Sequence, residues 1–302
     1  MLELRGVAKR FGPVRAVEDV DLTVEEGSIF GLIGPNGAGK TTSMRMILNI
    51  LEPDAGQISW QGRPVRAVAA REFGYLPEER GLYPRMSVRD ELRFFAALRG
   101  VSGPQLEHEM DGWLDRFMGD QAGKKVEDLS KGNSQKVQFL AAILHRPRLL
   151  ILDEPFGGLD PVNVQALKEA VRELNAQGTT ILFSSHRMDH VEELCTHLAL
   201  IDRGRVRLNG SLEEVRGSSG RRYLRLTMQD PGDLDALLQR LPQLQGASLA
   251  GGGLEAEVDA RLDPQVVLQE ALAVGPVRRF EVAPPSLEQV YLEQVGKEAV
   301  AP

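Results

Sequence analysis

"GPNGAGKTT", residues 34 to 42, decides how the rest of this 302-residue chain is read. It fits the spacing G-x-x-x-x-G-K-[ST] through Gly34, Gly39, Lys40 and Thr41. Glycines at such places let backbone N–H groups curl round phosphate oxygens. Lys40 reaches the outer phosphates, and the Thr41 hydroxyl can bind Mg²⁺. The required context is present as well: the apolar "SIFGLI" ahead reads as a strand, and "KTTSMRMILNIL" behind it as a helix. Gly34, Pro35, Asn36, Gly37, Ala38, Gly39, Lys40, Thr41 and Thr42 are therefore the candidate phosphate site.

A phosphate loop needs a second strand end to complete it, and "LLILDEP", residues 149 to 155, supplies one. A continuous apolar run ending in acids is the pattern of a strand buried on both faces. Asp153 at its end can hold Mg²⁺ through water, and Glu154 follows where a general base would polarise an attacking water. Two acids alone would equally mark a strand meeting solvent; beside "GPNGAGKTT" they read as chemistry. "TTILFSSH", residues 179 to 186, is a second buried strand, and His186 at its end can reach a γ-phosphate. His186 and His190 are four apart, but "HRMDH" lacks the glutamate of H-E-x-x-H, which argues against zinc. Between these strands "PVNVQALKEAVRELNAQG" reads as a helix, so strands and helices alternate as in a mostly parallel α/β sheet.

Composition sets outer limits. Hydrophobic residues make up 42% and charged residues 26%, ordinary values for a globular chain. The formal charge of −7 argues against a surface that coats nucleic acid, and no nucleic-acid partner is expected. Cys195, the one cysteine, excludes an intramolecular disulfide and reads as a small buried hydrophobe. No apolar leader and no run of about 18 apolar residues is visible, so a cytoplasmic location is expected.

Residues 1–30 read as short strands with turns, "GQISWQG" as a hairpin strand, and residues 84–146 as a largely helical part. Within it, Ser87 caps "VRDELRFFAALRG", and Ser130 in "DLSKGNSQKVQFL" is a plausible N-cap followed by apolar residues at helical spacing. Such a helix start exposes N–H groups that suit an anion. Character changes at "VRGSSGRRYL", where residues 217–220 are a linker by composition. Beyond it, residues 221–302 read βαββαβ, a ferredoxin-like order, followed by a final helix. The expected domains are thus residues 1–216 and 221–302.

Taken together, "GPNGAGKTT", "LSKGNSQK", "ILDEP", "GGLDP" and "FSSH" resemble the ordered motif set of ATP-binding cassette (ABC) ATPases over about residues 1–216. The fold implied is a P-loop NTPase ABC ATPase domain, a mixed sheet plus a helical subdomain, followed by the small α+β ferredoxin-like domain. The resemblance implies ATP and Mg²⁺ as cofactors and stacking of adenine on Phe11 in "KRFG". It places Asp160 of "GGLDP" in the loop joining two ATP sites across a dimer. It also implies that Ser130, Lys131, Gly132 and Asn133 face ATP held by a partner subunit, with a separate membrane permease as the third component. Hydrolysis would fall to Glu154 and His186, and Mg²⁺ to Thr41, Asp153 and Glu78. Two departures stand out: Leu129–Asn133 reads L-S-K-G-N where the family has L-S-G-G-Q, and Glu78 in "YLPEERGLYP" replaces a glutamine. With the ending "PPSLEQVYLEQVG", these resemble the sodium-extrusion type of exporter ATPase, which carries a C-terminal accessory domain. The rival readings are a soluble ABC ATPase acting on ribosomes or DNA, and a nucleotide-sensing regulator without turnover.

Overall fold

The computed structural model describes residues 1–79, 81–218, 220–244, 247–250, 253–259 and 262–299. These fall into two compact units, Met1–Leu212 and Glu213–Pro302.

The first unit opens with an antiparallel sheet. β1 (Leu2–Phe11) and β2 (Val14–Val24) pair as a hairpin, β4 (Ala55–Trp60) lies on the other side of β1, and β5 (Arg63–Pro64) follows β4. Leu2, Leu4 and Val7 share a buried side with Val20, Leu22 and Val24, the period-two patterning of a half-covered sheet. The second sheet runs β10-β9-β3-β8-β7-β6. Its strands are β3 (Ile29–Ile33), β6 (Phe73–Leu76), β7 (Leu149–Asp153), β8 (Thr180–Ser185), β9 (His197–Asp202) and β10 (Arg205–Ser211). All pair in parallel except β10 with β9. Every residue of β3, β7 and β8 is buried, which is why their sequences are apolar without alternation.

Helices α1 (Lys40–Ile47), α5 (Pro161–Ala176) and α6 (Met188–Leu194) connect the parallel strands; α2 (Val88–Leu98), α3 (Pro104–Phe117) and α4 (Lys131–Ile143) make up the helical part. Ser87 and Ser130 cap α2 and α4, each hydroxyl accepting from the amide three residues on at 3.2 Å. In the first unit the sequence reading differs from the fold at the end of α1 and at three strands. Helix α1 stops at Ile47 rather than running to Leu51: Asn49 turns left-handed (φ 55°), and the Ile50 and Leu51 amides fold back onto the Arg45 carbonyl. Strands β6, β9 and β10 are also present where no strand is expected. β6 is four residues long with a glycine inside, and β9–β10 share one tight turn at Arg203–Gly204, so neither offers a long alternating run.

From the boundary onward, α7 (Leu212–Gly217) leads into β11 (Arg222–Met228), α8 (Asp233–Arg240), β12 (Ser248–Ala250), β13 (Gly253–Val258), α9 (Pro264–Val274), β14 (Val277–Ala283) and α10 (Leu287–Ala299). The division between units falls at the start of α7, ahead of the composition change at residues 217–220, because the chain is helical there; Ser219 lies outside the described residues. The sheet order β12-β13-β11-β14, antiparallel throughout, is ferredoxin-like. Leu224, Leu226 and Met228 face Leu254, Ala256 and Val258 in one core. Among the described residues, no helix is long and apolar enough to cross a membrane.

One buried charge stands apart. Glu91 on α2 is fully buried and accepts the Tyr83 N–H at 2.9 Å, while its other oxygen has no hydrogen-bond partner. Burial pushes its carboxyl up, with the Tyr83 amide pulling the other way. The protonated form is therefore favoured by folding: the stability it brings is complete below the unfolded value of about 4.3 and is lost as pH rises through the folded value. Glu91→Gln keeps an acceptor for Tyr83. Its thermal midpoint should exceed that of the unsubstituted chain at neutral pH, and the gap should close as pH falls toward the unfolded value. A gap independent of pH would contradict this.

Candidate active site

Three strand ends meet at one edge of the parallel sheet. β3 runs into the loop 34–39, β7 ends at Asp153, and β8, hydrogen-bonded between them, ends at Ser185. The loop winds through left-handed glycines at Gly34, Gly37 and Gly39. Gly39 shows why: at φ 108°, a Cβ there would stand 2.4 Å from the Ala16 carbonyl oxygen on β2. Lys40, at the first turn of α1, is buried, and its Nζ donates to the carbonyls of Gly34 at 2.8 Å and Pro35 at 3.1 Å. Burial lowers the Lys40 pKa; the carboxylates of Glu154, Asp153 and Glu78 oppose that shift.

A cleft of about 370 Å³ opens over this loop, lined by Ala16, Asn36–Thr42, Glu78, Asp153 and Glu154. Most of the phosphate site expected from sequence therefore shares one cavity with Glu78, Asp153 and Glu154. Asp153 is buried: one oxygen accepts from the Ser184 hydroxyl at 2.5 Å, and the other has no hydrogen-bond partner. Glu154 has a left-handed backbone (φ 48°), a conformation that costs a non-glycine residue about 1–3 kcal/mol and clusters at functional sites. The same Ser184 hydroxyl holds it, accepting the Glu154 N–H at 3.0 Å. His186 lies beside it, Nδ1 at 3.0 Å from Glu154 Oε1, though off hydrogen-bond alignment.

Other expected contacts lie outside the cleft. Phe11 is half exposed where β1 meets β2, with Lys9 Nζ 6.0 Å from its ring centre. Ser130 is exposed at the start of α4, and its oxygen accepts from Asn133. Lys131 does not point away into solvent alone: its stem lies across Gly158, where a Cβ would stand 2.8 Å from Lys131 Cε. Gly158 admits it by lacking a Cβ, and its backbone is left-handed as well (φ 72°). Gly132 faces the same loop, 3.4 Å separating its Cβ position from Leu159. Asp160 caps α5, accepting from the amides of Val162 at 3.0 Å and Asn163 at 3.1 Å, and these bonds hold its carboxyl below the usual range. Ala16 and Ser184 are the site residues missing from the sequence reading. Ser184 stood inside the quoted "FSSH"; only the pairing of β7 with β8 gives it a function.

Comparison with known proteins identifies the family. The family model described as ABC transporter matches residues 17–157, and that of the ATP-binding protein DrrA1-3-like C-terminal domain matches residues 210–295. An uncharacterized ABC transporter ATP-binding protein of Bacillus subtilis, YhaQ, is 47% identical over 98% of this chain and 99% of its own length. The chain belongs to the ABC transporter ATP-binding protein family. A Nod factor export ATP-binding protein I of Cupriavidus pinatubonensis is 35% identical across 99% of this chain and 91% of that protein. Among solved structures, an ATP-binding subunit of an ABC transporter superposes with a TM-score of 0.69 at 34% identity, covering 73% of this chain and 93% of that one. A dimeric bacterial ABC transporter cassette shares the fold at 20% identity, with a TM-score of 0.65 over 70% of this chain and 99% of its own.

In this ABC ATPase the Ser184 hydroxyl serves two neighbours at once. Ser184→Ala should strip the buried Asp153 carboxylate of its hydrogen-bond donor and lower stability by about 1–3 kcal/mol. Denaturant unfolding checks it; an unchanged midpoint would show that Asp153 does not depend on Ser184.

Proposed function

We propose that this chain is the ATP-hydrolysing subunit of an exporter-type ABC transporter, which dimerises on ATP and drives a separate membrane permease from the cytoplasmic face of the membrane. The observation that carries the reading is the convergence of the phosphate cradle, Lys40, Asp153 and the strained Glu154 on one cleft. The name of the Nod factor export relative, similar over nearly the whole chain, supports the exporter class.

Three carboxylates and one ammonium line the cleft, so a polyphosphate entering it needs a further cation. The donors present suit Mg²⁺: oxygen ligands only, among them the unpartnered, buried oxygen of Asp153. Phosphate oxygens and waters would complete its shell. Thr41 and Asp153, with Glu78 at the exposed margin, would hold the ion. When bound, it supplies neutralising charge at the outer phosphates.

The chain's own groups do the rest. Amides of the 34–39 loop and the start of α1 receive phosphate oxygens. Lys40 is already directed at the loop by the Gly34 and Pro35 carbonyls, which limits the side-chain freedom lost on binding. Glu154 accepts the proton of the attacking water, a role worth ~10²–10⁴-fold, or roughly 3–5 kcal/mol of barrier. His186, its Nδ1 3.0 Å from Glu154 Oε1, stands beside the carboxylate and reaches toward the γ-phosphate. Ser130 fits a site completed by a partner chain. Its oxygen caps α4 as an acceptor, which leaves the hydroxyl proton free to donate to another chain's phosphate.

Glu154→Gln should bind ATP normally while hydrolysis falls by ~10²-fold or more. ATP should then trap a dimer visible by size-exclusion chromatography. Near-normal turnover would remove Glu154 from the base role. Lys40→Ala should weaken nucleotide binding itself, read by calorimetry, because the buried cation facing the phosphates is lost.

A further inference from the structure

Gln135 and Gln138 stand three residues apart on α4 and so share one side of the helix. Both are buried, at 7% and 4% exposure, in places where an apolar side chain would satisfy packing alone. Gln135 Nε2 donates to the carbonyl of Pro155, and Gln138 Nε2 to the carbonyl of Glu79, each at 3.3 Å. These acceptors have one thing in common. Pro155 directly follows Glu154, and Glu79 directly follows Glu78, the two glutamates that line the nucleotide cleft.

The same helix starts at the Ser130 cap. An α-helix rises about 1.5 Å per residue and moves as a rigid element, so Ser130 lies roughly 8 Å and 12 Å along the axis from the two glutamines. Any displacement of the Ser130 turn therefore carries both tethers with it. The bonds are long for N–H···O, which makes each a light restraint that a modest shift of α4 would break or remake.

We propose that Gln135 and Gln138 are positioning residues for hydrolysis. Through them α4 holds Glu154 and Glu78 of a chain's own cleft in register with the turn that the same chain offers to its partner's nucleotide; this rests on the dimeric ATPase reading above. Seating Ser130 against the partner's phosphates then sets the two glutamates over the chain's own ATP, so that each composite site reports to the other.

The test uses the full chain with Gln135→Met and Gln138→Met, which keep the volume and remove the donor. Each substitution should lower kcat about 2–10-fold, the worth of one hydrogen bond, with KM for ATP changed by less than about twofold. Amide hydrogen exchange without nucleotide gives the second readout. Gln138→Met should speed exchange at residues 78–79 and leave 154–157 unchanged; Gln135→Met should do the reverse. Exchange at the native rate in both segments would overturn the proposal. So would a uniform acceleration across the first unit with kcat falling and KM rising together, since that is a packing defect. The exchange pattern does not depend on turnover, so failure of the Glu154 assignment would show separately, as turnover persisting in Glu154→Gln.

Discussion

The active site depends on the in-register parallel pairing of three strands. β8 sits between β3 and β7, matching Ile33 with Ser185 on one side and Asp153 with Ser184 on the other. That register brings the start of the phosphate loop, the Asp153–Glu154 pair and the Ser184–His186 turn to one sheet edge. A slip of one residue would turn each of these side chains to the opposite face of the sheet. Close packing opposes the slip: all five residues of β7 and all six of β8 are buried and would have to repack.

At that edge the protein maintains an arrangement that folding alone would not favour. Asp153 keeps a buried oxygen without a partner, and Glu154 keeps a left-handed backbone. Both are held by one hydroxyl, Ser184, as donor to the first and acceptor for the second. A buried carboxylate left partly unsatisfied is costly in a compact core. The Ser130 turn is built differently. It sits exposed at a helix start, tied to its own chain by the Lys131 stem over Gly158 and by buried glutamines further along α4.

How much of this was legible in the sequence follows from where the information lies. β7 and β8 were readable because burial on both faces leaves unbroken apolar runs, and the phosphate loop because its glycines and lysine have fixed spacing. The ferredoxin-like unit was readable from alternation, since Leu224, Leu226 and Met228 need one covered face. β6, β9 and β10 were not, being short or interrupted. Nor was the end of α1, which depends on Asn49 turning left-handed. Within the site, Ala16, Ser184 and the targets of Gln135 and Gln138 were out of reach, because each acts on a residue distant in sequence. Asp160 caps α5, which anchors the loop in which the family resemblance places it.

The central claim is that each nucleotide site is built from two chains, the phosphate loop of one and the Ser130 turn of the other. Mixing tests it most directly. Ser130→Arg places a cation where the partner's γ-phosphate would sit, and Lys40→Ala disables the phosphate loop; each should be inactive as a homodimer. In a mixed dimer both defects fall in one composite site and leave the other intact. The account predicts that ATPase activity reappears on mixing the two inactive proteins. Mixed dimers that form, as judged by differently tagged chains, yet show no recovered activity would contradict it.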